Sequence, residues 1–357
     1  MTHIVLCIAM ISSLVLLKYR VKGSSKTVVF YLPFLILFIF AAIRYGYGND
    51  YWSYNDAFYS VKSGLSVFET EILFELLLRV FPHYFLFIAF TSFTTVYPVY
   101  KLVQNHVHKR YVVLSVFVYC FNPYMFLVSL SAMRQFVAVA VFVLAAYCAY
   151  KRKFVKYCIL IAIAAMLHSS AALLLPVYFW ANNKAVSKKT ILYVVLAVVF
   201  FLLSGERFNQ LMTTILEWFD KHNYTHYFTT GEGSSLRATL LSMCIFLYVA
   251  LNTPKLEGFR LMSAKLFMVG TILSVWSYHV NMLGRMQYYF DVFSVVAIPA
   301  IVQANLEENK KTVIGFVNNY CVPLFICLIY LGRYYNFFTA EVWEAFTEYR
   351  TIFEVLW

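Results

Sequence analysis

Charged side chains are scarce in this chain: they make up 13% of its 357 residues, whereas 62% are hydrophobic. A chain so poor in charge cannot fold in water without exposing a large apolar surface, but a bilayer accepts it. No segment is long and polar enough to form a separate soluble domain. Apolar runs of roughly 15 to 20 residues recur throughout and predict an all-α fold, a polytopic transmembrane helical bundle of about ten to twelve spans.

Sequence signatures of nucleotide and metal chemistry are also missing. The chain has no Walker loop, no dinucleotide-binding fingerprint and no HExxH motif, and no cysteine–histidine group has the spacing of a zinc site. Its seven cysteines lie within apolar runs without paired spacing, as small buried hydrophobic residues do. These absences disfavour a reaction that needs a nucleotide, a metal or another cofactor, and favour a substrate that arrives already activated.

The apolar runs predict one transmembrane domain over residues 1–333. Two long outer loops, at residues 44–82 and 205–236, are expected to contain interfacial helices, because the second holds an amphipathic stretch followed by a polar, aromatic run. Residues 334–357 carry aromatic residues among glutamates and are predicted to form an interfacial C-terminal tail with an anchoring role.

The apolar run at 154–182 is too long for one comfortable span. It contains His168, Ser169, Ser170 and Pro176. A broken or re-entrant helix is therefore expected near His168, and this choice sets the predicted topology of everything downstream.

Basic residues are distributed unevenly between the two ends of the predicted spans. With an outer N-terminus, 19 of the 29 basic residues fall in inner loops, together with only three acids. Enrichment of lysine and arginine in short cytoplasmic loops is the usual orientation signal. Topology therefore explains the net charge of +12, and a nucleic-acid partner is not expected.

The two sets of basic residues also differ in type. Fifteen of the 19 inner ones are lysine, whereas eight of the ten outer ones are arginine. The planar fork of arginine binds phosphate or carboxylate in two places at once, so an anionic ligand at the outer face is one interpretation. The other is that these arginines extend towards lipid headgroups at helix ends.

The sequence RYGYGNDY at residues 44–51 directly follows the second apolar run. Its two glycines permit close backbone approach beside an arginine and a carboxylate. One interpretation makes Arg44 an anion ligand and Asp50 a general base or a ligand of sugar hydroxyls. The alternative is an ordinary helix end, where a cation is favoured by the helix dipole and glycine commonly follows.

Arg134 lies at the predicted start of the fifth span, and Arg285 repeats the arrangement at the span that begins near residue 286. A cation at a helix N-terminus opposes the helix dipole and needs a reason. A phosphate held jointly by the guanidinium and the free backbone amides would supply it. Two such sites predict a diphosphate ligand, while a simple flanking charge is the plainer interpretation of each.

His168 is an ionisable side chain inside an apolar run and is therefore a candidate for function. A neutral imidazole can accept a proton from a hydroxyl nucleophile, so His168 is a candidate catalytic base together with Asp50 and Asp291. The alternatives are a neutral histidine hydrogen-bonded between helices and, for Asp291, a structural partner of Arg285.

At these residues the chain resembles the bacterial polysaccharide polymerases of the Wzy type, in particular their EpsG-like branch. The resemblance rests on RYGYGNDY at 44–51, MRQ at 133–135, LHSSA at 167–171 and the region of Arg285, in that order. It spans roughly residues 30–300.

The resemblance implies a metal-independent glycosyltransferase in the bacterial inner membrane, with its active site facing the periplasm or exterior. Such an enzyme would polymerise undecaprenyl-diphosphate-linked repeat units into O-antigen, capsule or exopolysaccharide. Arg44, Arg134 and Arg285 would bind the diphosphate, and a chain-length regulator and a flippase would be partners besides membrane lipids. The glycan would contact Tyr45, Tyr47, Tyr51, Trp52, Gln135 and Tyr224.

Three other functions fit parts of the pattern. They are a flippase or transporter of lipid-linked sugars, a glycan ligase, and a membrane acyltransferase with His168 as base. A flippase usually shows two-fold internal repeats and charges near the bilayer centre, whereas this chain has no internal repeat and most of its charges lie near span ends. An acyltransferase that uses coenzyme A would place its polar residues towards the cytoplasm.

Overall fold

The computed structural model describes residues 1–18, 26–68, 70–180, 184–218, 235–308 and 313–356. Over these residues the regular structure is helical apart from one antiparallel pair of two-residue strands, so the predicted all-α class is confirmed. The contacts divide the chain into two compact units. Unit 1 comprises residues 1–182 and 327–357, and unit 2 comprises residues 183–326.

Apolar helices form both units. The elements up to residue 180 are α1 (Thr2–Lys18), α2 (Lys26–Ala42), β1 (Arg44–Tyr45), α3 (Tyr51–Lys62), α4 (Ile72–Val80), α5 (Tyr84–His106), α6 (Val112–Phe121), α7 (Phe126–Ser131), α8 (Met133–Tyr150), α9 (Phe154–Leu167) and α10 (Val177–Trp180). The later ones are α11 (Lys188–Trp218), α12 (Leu236–Asn252), α13 (Gly258–Trp276), α14 (Asn281–Met286), α15 (Tyr288–Asp291), α16 (Ser294–Glu308), α17 (Val313–Phe316), α18 (Val322–Thr339), β2 (Arg350–Thr351) and α19 (Phe353–Leu356).

Six helical segments among the described residues are long and apolar enough to cross a bilayer. They are Tyr84–His106, Met133–Tyr150, Lys188–Arg207, Leu236–Lys255, Gly258–Trp276 and Val317–Thr339. A pair bent by 57°, Met282–Asp291 with Ser294–Glu308, makes seven if it forms one span. The chain is therefore a multi-pass membrane protein. The count is lower than the predicted ten to twelve because several apolar runs form pieces shorter than a bilayer demands.

Helix breaks explain this difference. The apolar run at 111–128 is divided into α6 and α7, which flank Pro123. The run at 154–182 breaks at His168, as predicted: α9 ends at Leu167, and His168 is extended with φ −154° and ψ 113°. A 3₁₀ helix, Ser169–Leu174, follows. The backbone amides beyond each break are released from the helix and are available to other partners.

Helix packing in unit 1 brings several helix ends to one level. α2 packs against α1 and α5, and α8 packs against α5 and α9. The end of α2, the break between α7 and α8, and the end of α9 all lie beside the loop that carries α3 and α4, as the contacts of Arg44, Arg134 and His168 show. The lysine-rich segment after α8 lies at the opposite end of this 18-residue helix, about 27 Å away.

Arg44 forms the centre of this packing. Only 1% of the residue is exposed. Its Nη1 donates to the carbonyl of Ala41 (2.5 Å) and to Oγ of Ser92 (2.8 Å), and its Nη2 donates to the carbonyl of Leu130 (3.2 Å). One guanidinium thereby connects the ends of α2 and α7 with the middle of α5.

The glycines after Arg44 have the close approach that the sequence indicates. Gly46 and Gly48 adopt positive φ values of 63° and 112°. A β-carbon on Gly48 would lie 3.2 Å from the carbonyl oxygen of Leu130. The loop therefore fits tightly over the break between α7 and α8.

The C-terminal tail folds back onto this loop, and its predicted interfacial location stays a prediction. After α18, a 3₁₀ helix (Glu341–Phe346) precedes β2, which pairs with β1 in the register Arg44 to Thr351 and Tyr45 to Arg350. The ring of Tyr349 stacks on Phe40 with centroids 4.1 Å apart. Backbone pairing and aromatic stacking thus attach the tail to unit 1.

Unit 2 contains helices that differ in length from the predicted runs. α11 continues for 31 residues to Trp218, so the amphipathic stretch predicted as part of the outer loop 205–236 is continuous with the preceding span. Residues 219–234 of that loop lie outside the described residues. A π-helical turn, Val317–Cys321, joins α17 to α18.

Replacing Arg44 by lysine is expected to lower the free energy of unfolding by about 2 to 3 kcal/mol, because one ammonium cannot reach the acceptors on three helices at once. Thermal unfolding of the detergent-solubilised protein measures the effect as a fall in Tm. The matched control is Arg79→Lys, whose guanidinium is about half exposed in an i,i+4 pair with Glu75 and whose replacement should leave Tm nearly unchanged. Equal Tm values for the two variants would contradict the central packing role of Arg44.

Candidate functional site

The carboxylate of Glu71 joins three elements of unit 1. Its Oε1 lies 2.7 Å from Nδ1 of His168 and accepts a hydrogen bond from the amide of Ser169 (3.2 Å). Its Oε2 accepts from Nη1 of Arg134 (2.6 Å). We call Tyr54, Glu71, Arg134 and His168 the Glu71 cluster. It brings together two side chains that the sequence indicates as functional, Arg134 and His168.

Arg134 occupies the second position of α8, as the sequence predicts. Its Nε donates to the hydroxyl of Tyr54 (3.2 Å), and its guanidinium carbon lies 4.6 Å from the ring centroid of Phe68. One third of the side chain is exposed. Two of its N–H groups are thus used by Tyr54 and Glu71, and the remaining donors of the fork are available to a ligand.

His168 presents one ring nitrogen to Glu71. Because a carboxylate accepts hydrogen bonds, the contact places the proton of a neutral ring on Nδ1 and leaves Nε2 as an acceptor. Nε2 makes no hydrogen bond to another described residue, and 24% of the side chain is exposed. A carboxylate orients the imidazole in the same way in the Ser-His-Asp triad, where the histidine acts as a general base.

A second glutamate shapes the loop before α4. Oε2 of Glu75 accepts from Oγ of Ser66 and from the amides of Val67 and Phe68, while Oε1 pairs with Arg79 (2.7 Å). The hydrogen bonds from Arg79 and Phe68 lower the pKa of Glu75 to about 2. This network folds the loop over the first turn of α4 and sets the ring of Phe68 against Arg134.

The electrostatics of Glu71 follow from its neighbours. Burial alone would raise the pKa of the Glu71 carboxyl, but the hydrogen bond with His168 and the positive charge of Arg134 outweigh burial. The pKa therefore lies below its ordinary value of 4.5, and Glu71 is ionised at neutral pH.

Asp50 lies next to the cluster. Its carboxylate accepts from Oγ of Ser131 (2.9 Å), and its amide donates back to the same oxygen (3.1 Å). Asp50 precedes α3 and accepts, through its carbonyl, the backbone amide of Tyr54. It is exposed, and its role as a base or a ligand of sugar hydroxyls stays a prediction.

Arg44 has a different environment from Arg134. It is buried, and its Nη1 and Nη2 donate to the carbonyls of Ala41 and Leu130 and to the hydroxyl of Ser92, whereas its Nε has no hydrogen-bond partner among the described residues. This geometry favours the helix-end interpretation, and the diphosphate role of Arg44 stays a prediction.

Arg285 and Asp291 belong to unit 2. Arg285 is exposed in the last turn of α14, so it does not repeat the position of Arg134 at a helix start. Asp291 is buried at the end of α15, close to α13: a β-carbon on Gly270 would lie 3.0 Å from its Oδ1. Their predicted roles in diphosphate binding and proton transfer stay predictions.

The residues predicted to contact glycan differ in how far they are exposed at the protein surface. Tyr47, Tyr51 and Gln135 are buried, and the hydroxyl of Tyr47 bonds to Thr2 (2.7 Å). Tyr224 lies outside the described residues. Tyr45 and Trp52, by contrast, line a cavity of about 450 Å³ between the 44–52 loop and the C-terminal tail. We call this cavity the tail pocket.

Glu71 is the member of the site that the sequence analysis missed. It stands in the outer loop 44–82, directly before the amphipathic stretch ILFELLLRV. A carboxylate at the start of an amphipathic helix is a usual feature, so its position alone does not indicate function. The available signal was that Glu71 is one of only 17 acidic residues and shares the outer loop 44–82 with the candidate residues of RYGYGNDY.

The part of the chain that the structure describes contains no cluster of potential metal ligands. No three histidine, cysteine, aspartate or glutamate side chains converge there as metal ligands do. The side chains that do converge in the Glu71 cluster are a carboxylate, an imidazole, a guanidinium and a phenol hydroxyl.

The lowered pKa of Glu71 predicts a pH dependence of stability. A carboxylate with a lower pKa in the folded state stabilises the protein fully above its unfolded pKa, and this contribution is lost as the pH falls through the folded pKa. The gap in Tm between wild type and Glu71→Gln should therefore shrink as the pH falls below 4.5. Glu341→Gln, an exposed carboxylate of unit 1, is the control and should match wild type throughout. A Glu71→Gln gap that is unaffected by acidification would contradict this assignment.

Comparison with known proteins identifies the family to which this chain belongs. No curated protein and no solved structure matches the chain significantly. The sequence profile of the EpsG family matches residues 27–351, a range that contains the Glu71 cluster and the tail pocket. Because this match covers most of the chain, the protein belongs to the EpsG family.

Proposed function

We propose that this protein is a membrane glycosyltransferase that polymerises undecaprenyl-diphosphate-linked oligosaccharide repeat units at the outer face of the bacterial inner membrane. Family membership assigns the chain to polysaccharide biosynthesis by a multi-pass membrane protein. The observation that carries the finer proposal is the Glu71 cluster, in which one carboxylate holds a partly exposed arginine beside an oriented histidine.

The outer location is supported by the charge distribution around unit 1. The cluster lies at the end of α8 that starts at Met133, and the basic segment Lys151–Lys156 lies beyond the other end. Because lysine-rich loops mark the cytoplasmic side, the cluster is assigned to the opposite side. Lipid-linked repeat units present their glycan at that side in the proposed reaction.

Proton transfer is assigned to His168. A hydroxyl of the incoming lipid-linked unit gives its proton to Nε2, and the hydroxyl oxygen bonds to the anomeric carbon of the growing chain. The bond between that carbon and the lipid diphosphate breaks with its electron pair on the diphosphate oxygen. Glu71 stabilises the imidazolium that forms, and the proton later passes from His168 to solvent.

Charge stabilisation on the leaving group is assigned to Arg134. Negative charge develops on the diphosphate as the sugar departs, so a guanidinium at this position acts most strongly in the transition state. The stacked ring of Phe68 and the hydroxyl of Tyr54 hold the guanidinium in one orientation. Pre-orientation of this kind removes the cost of ordering a flexible side chain during the reaction.

Incubation of the purified protein with a synthetic lipid-diphosphate repeat unit separates a transferase from a flippase. Growth of the glycan without added ATP, seen as a ladder on gels, is the expected result. Translocation of the lipid across proteoliposomes without polymer would instead establish transport as the function.

Arg134→Ala is expected to reduce polymer formation by about 10²- to 10³-fold, since it removes a donor to the developing charge. Arg134→Lys should recover little activity, because lysine lacks the fork that meets Glu71 and the diphosphate together. The control is Arg333→Lys, the same conservative change at another predicted outer arginine, and it should leave polymer formation near the wild-type level. Normal polymer length in Arg134→Ala membranes that contain correctly inserted protein would remove the diphosphate assignment.

His168→Ala is expected to lower the rate of chain growth by about 10²- to 10⁴-fold, the usual range for loss of a positioned base. Glu71→Gln keeps the shape but loses the charge that stabilises the imidazolium, so it should also lower the rate. The measurement is single-turnover extension of a labelled lipid-linked acceptor at several pH values. Undiminished turnover in His168→Ala would move the role of base to Asp50 or Asp291.

A further inference from the structure

The tail pocket is lined by both aromatic and polar side chains, and none of them belongs to the Glu71 cluster. Its cavity of about 450 Å³ falls within the size range of small-molecule sites. The walls combine aromatic rings, carboxylates, a hydroxyl and a guanidinium, supplied by Tyr45, Trp52, Glu344, Thr347, Glu348 and Arg350.

The aromatic wall is partly open. Tyr45 and Trp52 meet edge to face, with ring centroids 5.4 Å apart and planes at 88°. Trp52, the second residue of α3, is 48% exposed, whereas Tyr51 before it is buried. The negative face of an aromatic ring attracts the electropositive C–H bonds of a sugar ring, and an indole offers the largest such face among side chains.

The polar wall matches sugar hydroxyls. The carboxylates of Glu344 and Glu348 accept hydrogen bonds from hydroxyl groups, and the guanidinium of Arg350 donates to hydroxyl oxygens. Arg350 is oriented by Glu348, whose Oε1 lies 2.9 Å from its Nη2. Convergence of donors, acceptors and an aromatic face in one cavity is what a polyhydroxylated ring requires.

The charge of the tail pocket excludes the diphosphate part of the proposed substrate. Two glutamates face one arginine, and that arginine is already paired with a glutamate. A phosphate placed there would meet net negative charge. An uncharged sugar has no such penalty, because each carboxylate can accept from its hydroxyls.

The short helix α3 contributes one residue to the tail pocket and one to the Glu71 cluster. Trp52 and Tyr54 are two residues apart on α3, so their side chains leave it about 200° apart. Tyr54 bonds to Arg134 on one side, while Trp52 lines the tail pocket on the other. The tail pocket and the Arg134 guanidinium therefore lie on different sides of α3, and a glycan attached to a diphosphate at Arg134 would have to pass this helix to reach the pocket.

We infer that the tail pocket binds an uncharged sugar residue of the glycan, with Trp52 as its stacking platform and Glu344, Glu348 and Arg350 as hydrogen-bonding partners. The C-terminal tail is then part of the substrate site. This inference rests on the proposed function, since it assigns to that enzyme a sugar subsite separate from its diphosphate site.

Saturation-transfer NMR on the full-length protein in phosphatidylcholine nanodiscs tests the inference. Maltoside detergents are avoided because they carry sugars themselves. The probes are the methyl glycosides of glucose, galactose, mannose and N-acetylglucosamine. At least one is expected to bind the wild type, with binding about tenfold weaker in Trp52→Ala and about threefold weaker in Glu348→Gln.

Two variants serve as matched controls. Tyr59→Ala removes an exposed aromatic ring from the same helix outside the tail pocket, and Glu341→Gln removes an exposed carboxylate from the same tail. Both should bind the glycosides as the wild type does. A circular dichroism spectrum identical to wild type shows that Trp52→Ala is folded.

The outcomes distinguish this inference from the proposed function. No glycoside binding by the wild type, or equal binding by Trp52→Ala, overturns the sugar subsite even if Arg134→Ala abolishes polymer. Binding that depends on Trp52 in a protein that fails to extend lipid-linked acceptors supports the subsite and overturns the polymerase assignment.

Discussion

The hydrogen bonds of a single carboxylate, that of Glu71, determine how the ends of α4, α8 and α9 meet. The Glu71 side chain is only 6% exposed, and its carboxylate accepts hydrogen bonds from His168, Ser169 and Arg134. A buried carboxylate is stable only while its oxygens are satisfied, and removal of one partner leaves the others with uncompensated charge. The position of the histidine ring and that of the guanidinium are therefore coupled, since neither can shift without breaking a bond to the same group.

Interrupted helices make this arrangement possible. An unbroken α9 would use the amide of Ser169 within the helix, whereas the extended backbone at His168 releases it to Glu71. Similarly, the break at Ala132 starts α8 beside the hydroxyl of Tyr54, which accepts from both the amide and Nε of Arg134. The shortness of these helices lowers the number of full spans, but it gathers backbone and side-chain donors at one end of unit 1.

The sequence indicated those features that depend on local pattern. Apolar composition predicts the membrane helices, and the length of the run at 154–182 predicts the break at His168. Glu71 could not be found in this way, because its partners are 63 and 97 residues distant in the chain. The contacts of Arg44 with Ser92 and Leu130 are hidden for the same reason, because these residues lie 48 and 86 positions away in the chain. Long-range pairing was thus the missing information.

The charge of the cluster links the two halves of the proposed reaction. With His168 neutral, the charges of Glu71 and Arg134 cancel, so the resting site has little net attraction for an anion. When His168 accepts the hydroxyl proton, the same three side chains carry one net positive charge. In the proposed reaction this change would coincide with the development of negative charge on the departing diphosphate, which is when electrostatic stabilisation accelerates a reaction. A site of permanent excess positive charge would instead bind the diphosphate of substrate and product alike, and would slow product release.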